Sequence, residues 1–271
     1  PRHSTAPSGC RAKASTPSKL ETAALSDLGA DVEVRRHPAA RRLTLRVSQT
    51  RRAVIVTVPM QCNLLEAGSF LHRNIDWVRE RLGSIPEPIA FQSGAVVPLR
   101  GEPHTLHFTG IRNRGVRVKR IAASEMAAAN RSPDNYSKLE VSGPVEYAIP
   151  RLTDWLLEEA RRDLDARVVH HATNLGLTAK RITVRDQSSR WGSCSTTGTL
   201  SFSWRLILAP PLILDYVAAH EVSHLKEMNH GSRFWALVRR TMPQMDEARQ
   251  WLHIYGMGLH RYGPNNIKRS R

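Results

Sequence analysis

The first half of the chain alternates apolar and polar residues over short stretches. A period of two is typical of strands that bury one face, and it occurs in Val32–Arg35, Leu43–Val47 and Ala53–Val58. Four further strand-like segments follow before Pro150: Val96–Leu99, Thr105–Phe108, Val116–Lys119 and Leu139–Ser142. The polar stretch from Asn130 to Ser137 is predicted to be a loop. The pattern predicts a mainly antiparallel β part.

Helical spacing appears in two longer segments. Apolar residues recur at near-helical intervals from Leu64 to Leu82, and Gly83 follows as a stop. A stronger pattern runs from Pro150 to Leu175, with the proline at a favoured helix start. We place a boundary there and predict a leader at 1–30, a mainly β part with one helix at 31–149, a second part at 150–258 and a tail at 259–271.

The second part mixes strands with helices. Arg181–Asp186 and Leu200–Leu208 are predicted to be the strands of a hairpin, joined by a loop that contains Trp191–Cys194. Pro210 and Pro211 then open another helix. Together with the first half, this order predicts an α+β fold class.

Composition indicates the cellular compartment in which the protein is expected. No stretch approaches the roughly 20 apolar residues that a membrane-spanning helix requires, so no membrane span is predicted. The first thirty residues are rich in small, polar and basic residues and lack the apolar run of a secretory signal, which favours a disordered basic leader. The three cysteines are scattered and odd in number. This usage fits a reducing compartment, and we expect a cytoplasmic location.

The formal net charge is +16. The segment from Arg35 to Arg52 contains arginines and no acidic residue, and Arg112–Arg120 is also strongly basic. Such surfaces attract nucleotides and nucleic acids, so an anionic partner is one candidate. A solvated charged face is the simpler interpretation. The basic tail at 259–271 adds to the charge without defining a partner.

The segment after Pro211 contains the pattern H-E-x-x-H. Residues four apart on a helix share a face, so His220 and His224 can direct two imidazoles towards one metal ion. Glu221 then lies beside that ion, where it can accept a proton from the water that attacks the substrate. The spacing therefore predicts a metal site with a catalytic base.

A third histidine, His230, follows His224 by six positions. Three histidines and one open position are typical of catalytic zinc sites, whereas structural sites are closed by four ligands. Asn229 and Gly231 are predicted to end the helix and turn the chain back. The three-histidine spacing equals that of metzincins, but Glu227 stands where that group has glycine, so the turn must differ. The alternative is a helix with partly exposed histidines.

Other residues near the motif have less specific patterns. Arg190 and Arg205 could stabilise an oxyanion or hold a phosphate, although ion pairs explain them equally well. Tyr216 lies one turn before His220 and is more simply a buried tyrosine. Cys194 has no CxxC partner and is expected to pack as a small hydrophobe. Core packing is also the simplest role for four aromatic residues: Trp191, Trp204, Phe234 and Trp235. His104, His107, His170 and His171 show no ligand spacing.

Four segments together closely resemble the YgjP-like family of metal-dependent hydrolases: Arg190–Cys194, Trp204–Pro211, His220–His230 and Arg233–Trp235. The resemblance runs from about Val32 to Gly258. It implies a zincin-like metallopeptidase part related to the WLM and SprT-type proteins, with zinc on His220, His224 and His230 and Glu221 as base.

We therefore expect a zinc metallopeptidase that acts on a peptide or protein substrate. One alternative keeps the metal and replaces the substrate by a nucleoside triphosphate, whose phosphates the arginines would neutralise. Another alternative is a nucleic-acid-binding protein with a non-catalytic metal site, which predicts steeply salt-dependent binding. The resemblance alone does not choose between a peptide bond and a phosphoanhydride.

Overall fold

The computed structural model of the chain describes residues 30–48, 50–111, 117–128, 136–187 and 189–263. Residues 1–29 of the predicted leader, residues 264–271 of the tail and parts of the predicted loop and of the 112–120 basic cluster lie outside the described residues. The chain separates into two compact units, at Ile85 and Pro86. The predicted boundary at Pro150 differs from this division because residues on both sides of Pro150 share one hydrophobic core.

The first unit contains a three-stranded sheet and two helices. Its strands are β1 (Asp31–Arg36), β2 (Thr44–Ser48) and β3 (Ala53–Val58), in the order β1-β3-β2. β1 is parallel to β3, and β2 is antiparallel to it. Apolar side chains of β3, including Val54 and Val56, are buried in this unit's core.

The predicted helix from Leu64 to Leu82 is two helices, α1 (Leu64–Arg73) and α2 (Ile75–Gly83). The break is at Asn74, whose side-chain amide donates to the Phe70 carbonyl at 2.8 Å. A local side-chain hydrogen bond of this kind competes with the regular helical backbone. The prediction of a single helix was therefore wrong.

The second unit begins with a four-stranded sheet. Its strands are β4 (Val96–Leu99), β5 (Glu102–Phe108), β6 (Val118–Ile121) and β7 (Ser137–Val141), in the order β4-β5-β7-β6. β5 and β7 are parallel, and the other two pairs are antiparallel. The short helix α3 (Ala123–Ala128) lies between β6 and β7 in sequence.

A long helix, α4 (Ala148–Leu175), forms the centre of the second unit. Leu152, Leu156 and Leu164 on one side of α4 are fully buried in the unit's core. The helix ends at Gly176, whose left-handed backbone (φ 66°, ψ 36°) is a conformation that glycine adopts without steric cost.

The sheet that precedes the metal-motif helix contains β8 (Arg181–Arg185), β9 (Gly192–Cys194) and β10 (Thr199–Ser203), in the order β8-β10-β9. β8 and β10 are parallel, so the predicted hairpin is wrong. The strand predicted to reach Leu208 ends at Ser203, where a buried 3₁₀ turn (Trp204–Leu208) begins. The Ser203 hydroxyl accepts from the Arg205 backbone N–H and so favours the turn.

Three helices complete the second unit: α5 (Pro211–Ser223), α6 (Ser232–Thr241) and α7 (Met245–Tyr255), followed by a 3₁₀ turn at Gly256–Arg261. The described residues thus form seven helices and three sheets, which confirms the α+β class. Each sheet includes one parallel pair, so the sheets are mixed. None of the helices in the described ranges combines the length and apolar character needed to cross a membrane.

Candidate metal centre

Helix α5 places His220 and Glu221 in its last turn, and His224 follows as the C-terminal cap. The Ser223 carbonyl accepts from the backbone N–H groups of Lys226 and Glu227, at 3.1 and 3.0 Å. The helix therefore ends before residues 229–231, where the sequence predicted its end. Gly231 has an extended backbone and instead caps the start of α6. This short turn brings the chain back to His230 without a glycine at position 227.

The three predicted ligands lie together. One side-chain nitrogen of each of His220, His224 and His230 lies within 4.8 Å of the others, and the Nε2 atoms of His220 and His230 are 3.0 Å apart. Two nitrogens on one tetrahedral zinc ion are about 3.4 Å apart when each bond is about 2.1 Å. The donor set therefore fits a zinc-sized ion with little movement.

Neighbouring groups fix the histidine rings. Nδ1 of His224 lies 3.0 Å from the Glu227 carbonyl oxygen. The carbonyl accepts a hydrogen bond from Nδ1–H, so Nε2 of His224 keeps a lone pair for a metal. Phe234 is fully buried and contacts all three rings, with centroid distances of 4.4, 4.7 and 4.8 Å. Nδ1 of His220 is buried and has no hydrogen-bond partner among the described residues. The contacts with Phe234 therefore limit the movement of the three histidine rings.

The protonation states also suit metal binding. Burial lowers the pKa of His220 to about 3, and the charges of His224 and His230 act in the same direction. Burial likewise lowers the pKa of His224. Both imidazoles are therefore neutral near pH 7, and a neutral imidazole is the form that binds a metal.

Glu221 is 5% exposed. Burial raises its pKa to about 8, against the opposing positive charge of Arg190. Its Oε2 has no hydrogen-bond partner within the described ranges. A Cβ at position 192 would lie 2.6 Å from Cγ and Oε1 of Glu221, so only glycine allows β9 to approach this carboxyl group. The result is a desolvated carboxyl group held against the backbone of β9.

The two candidate arginines have different surroundings. Arg205 is 1% exposed, pairs with Asp186 at 3.1 Å and lies over the Trp204 ring at 4.7 Å. It also donates to the Tyr262 carbonyl. These contacts give Arg205 a structural role and make it unavailable to an oxyanion. Arg190 is exposed, and its charge acts on Glu221.

The remaining candidates lie around the site. The ring of Tyr216 contacts that of His220 edge-on at 5.9 Å, and burial raises the tyrosine pKa. Cys194 is half-buried, and burial together with the charge of Glu221 raises its pKa. Trp204 and Phe234 are core residues, whereas Trp191 and Trp235 are only partly buried. His171 binds Thr241 and Asp215 rather than the histidine cluster.

Two residues at the site were missed by the sequence analysis. Gly192 carries a recognisable signal, because a glycine inside a strand often marks the close approach of another group. Arg249 carries none, since it lies far along the chain from the motif and reaches the site through α7. Its guanidinium lies 4.9 Å above the ring of Trp235.

One comparison with known proteins identifies the family of the chain. Residues 41–255 match the family model described as YgjP-like, metallopeptidase domain. The match covers well over half of the chain, so the chain belongs to the YgjP-like metallopeptidase family, as the resemblance predicted. This family implies a bound metal.

One solved structure that matches is the metallopeptidase zymogen of Pyrococcus abyssi abylysin. The identity is 21%, the match covers 37% of this chain and 99% of that chain, and the TM-score is 0.32. No curated protein matches the sequence.

Proposed function

We propose that this protein is a zinc-dependent peptidase whose metal ligands are His220, His224 and His230 and whose catalytic base is Glu221. The observation that carries the proposal is the buried, incompletely hydrogen-bonded Glu221 carboxyl group beside three convergent imidazoles. A three-imidazole donor set suits zinc better than a hard cation such as magnesium or calcium.

A zinc ion at this site would supply Lewis acidity towards water and the substrate carbonyl. Glu221 accepts a proton from the attacking water at its free Oε2 and returns that proton to the leaving amine. Without a metal ion, burial raises the pKa of this carboxyl group to about 8. A cation bound beside it would lower this pKa, so the carboxylate could accept a proton near neutral pH and return it. The three neutral histidines would hold the ion.

Strand β9 offers a place for the substrate backbone. β9 lies at the end of its sheet and pairs with β10 along one edge. An extended peptide that pairs with the other edge would gain main-chain hydrogen bonds. Because Gly192 touches Glu221, this peptide would pass the catalytic carboxyl group. A strand edge can pair with the main chain of a peptide but not with a nucleotide, which favours a peptide substrate.

The nucleoside triphosphate alternative depends on arginines that neutralise phosphates. Arg205, one of the two arginines proposed for that role, is engaged by Asp186 and the Tyr262 carbonyl. The alternative that makes this a nucleic-acid-binding protein leaves the buried Glu221 unexplained. We therefore rank both below the peptidase.

The test is digestion of a mixture of unstructured peptides, with new termini identified by mass spectrometry. Zinc-loaded protein should cleave peptides, a chelator should stop cleavage, and added zinc should restore it. Nucleoside triphosphates should release no phosphate in parallel samples. Phosphate release without peptide cleavage would replace this proposal by the phosphoanhydride alternative.

A further inference from the structure

Helix α7 brings a positive charge to the metal centre. The Cζ atom of Arg249 lies 4.9 Å from the ring centroid of Trp235. That ring in turn lies 5.8 Å from the rings of both His220 and His230. Two short contacts therefore connect the guanidinium to two of the three candidate metal ligands.

No carboxylate among the described residues forms an ion pair with Arg249. Asp246 is one turn earlier on the same helix, but it pairs with Arg239 at 3.3 Å. The side chain of Arg249 is exposed. The positive charge is thus available to a ligand.

The aromatic contact also orients the group. A guanidinium stacked on an aromatic face directs its N–H donors outward within its own plane. This fork matches the two oxygens of a carboxylate. Stacking reduces the freedom that the side chain would lose on binding, which favours recognition by Arg249 over recognition by an unsupported surface arginine.

We propose that Arg249, supported by Trp235, determines substrate specificity by binding a carboxylate of the peptide near the scissile bond. The inference rests on the proposed peptidase function. An extended chain advances about 3.5 Å per residue, so the carboxylate belongs to a residue within about two positions of the cleaved bond. An acidic side chain and a free C-terminal carboxylate both supply this chemistry.

Two matched peptide pairs distinguish these sources. One pair contains an internal glutamate or glutamine near the cleaved bond, and the other ends in a free carboxylate or an amide. Wild-type protein should cleave one acidic member about tenfold better by kcat/KM, and high salt should reduce the preference. Arg249→Gln should abolish the preference, and Arg249→Lys should restore part of it because the charge remains.

The control is Arg181→Gln, which removes the same charge. Arg181 is exposed at the start of β8, on the opposite edge of the sheet from β9, so this variant should keep the preference. A preference that survives Arg249→Gln, or that is absent from wild type, would overturn the inference. Unchanged thermal stability of Arg249→Gln would show that its loss of preference is not a loss of fold.

Binding is measured separately from cleavage. In the Glu221→Gln background, quenching of tryptophan fluorescence should show tighter binding of the acidic peptide, and Arg249→Gln should remove the difference. If wild type cleaves no peptide, the proposed function fails, while this binding difference still decides the role of Arg249. Arg249-dependent binding of inorganic phosphate, with no effect of the peptide carboxylate, would contradict the inference.

Discussion

Two regions of the second unit bury acidic and histidine side chains. The regions differ in whether these side chains have hydrogen-bond and ion-pair partners. Around α4, Glu159 is 7% exposed and accepts hydrogen bonds from Arg100 and Arg162 at 2.8 and 2.5 Å. Asp215 likewise binds Arg167 and the fully buried His171. At the metal centre, Glu221 is equally buried, yet its Oε2 has no partner within the described part of the chain. The carboxylates of Glu159 and Asp215 are therefore compensated by neighbouring cationic or hydrogen-bonding side chains, and Oε2 of Glu221 is not.

The difference separates groups that hold the fold together from groups available for chemistry. A buried polar group without a partner costs about 1–3 kcal/mol and persists when something else requires it. The arginine-paired carboxylates need no further ligand. In the proposed function, the histidines and Glu221 would gain compensation when a metal and a substrate bind.

The largest effect is expected for Glu221→Gln. This change removes the proton acceptor while it keeps the shape of the side chain, so kcat should fall by about 10³-fold. Zinc content should not change, because the three histidines remain. Kinetics on a cleaved peptide and elemental analysis check this. Glu227→Gln is the matched control, since Glu227 contacts His224 through its backbone carbonyl; an equal loss in both variants would contradict the assignment.

Asp215→Asn should lower stability rather than zinc content. It leaves Arg167 and the buried His171 without their anionic partner, and the loss of hydrogen bonds to a charged group from two donors costs about 3 kcal/mol in total. Urea unfolding monitored by fluorescence measures the loss. If the variant were as stable as wild type but lacked zinc, Asp215 would support metal binding rather than stability. That result would contradict the distinction between the two regions.

A pH effect of about 3 kcal/mol is expected from His260. Burial, together with the charge of Arg205, lowers its pKa from 6.5 to about 4. The unfolded chain therefore binds a proton that the folded chain does not bind between these values. Its contribution to stability is complete above pH 6.5 and is lost as the pH falls towards 4. Unfolding free energies at pH 7 and pH 4.5 should differ less in His260→Gln than in wild type; equal differences would refute this.

Glu159→Gln should have the smallest effect, a loss of about 1 kcal/mol, because Arg100 keeps its second partner Asp163 at 2.8 Å. Peptide cleavage and zinc content should stay at wild-type values. A thermal melt and the peptide assay check both points. A loss of activity without a loss of stability would show that the compensated region also takes part in catalysis.

Local patterns predicted much of the fold. The strands Ala53–Val58 and Val96–Leu99 were predicted with the observed bounds, and the long helix was predicted to within two residues. Alternation and helical spacing are properties of neighbouring residues, so they can be read from sequence. The histidine cluster is similarly local, since a helix and one turn bring its members together.

Long-range contacts could not be predicted in this way. The parallel pairing of β8 with β10 depends on the packing of the whole unit. Arg205 was a candidate to stabilise an oxyanion, but it has a structural role. It pairs with Asp186 and donates a hydrogen bond to the carbonyl of Tyr262, which is distant in sequence. Arg249 reaches the metal centre only because α7 packs beside α5 and α6, and no local motif marks that contact.

The most direct test is elemental analysis of wild-type and His220→Ala protein, both purified without a metal-affinity tag. We expect about one zinc ion per wild-type chain and a large loss in the variant, with thermal unfolding showing that the variant stays folded. A wild-type chain that holds no metal even after zinc is supplied would contradict the central claim.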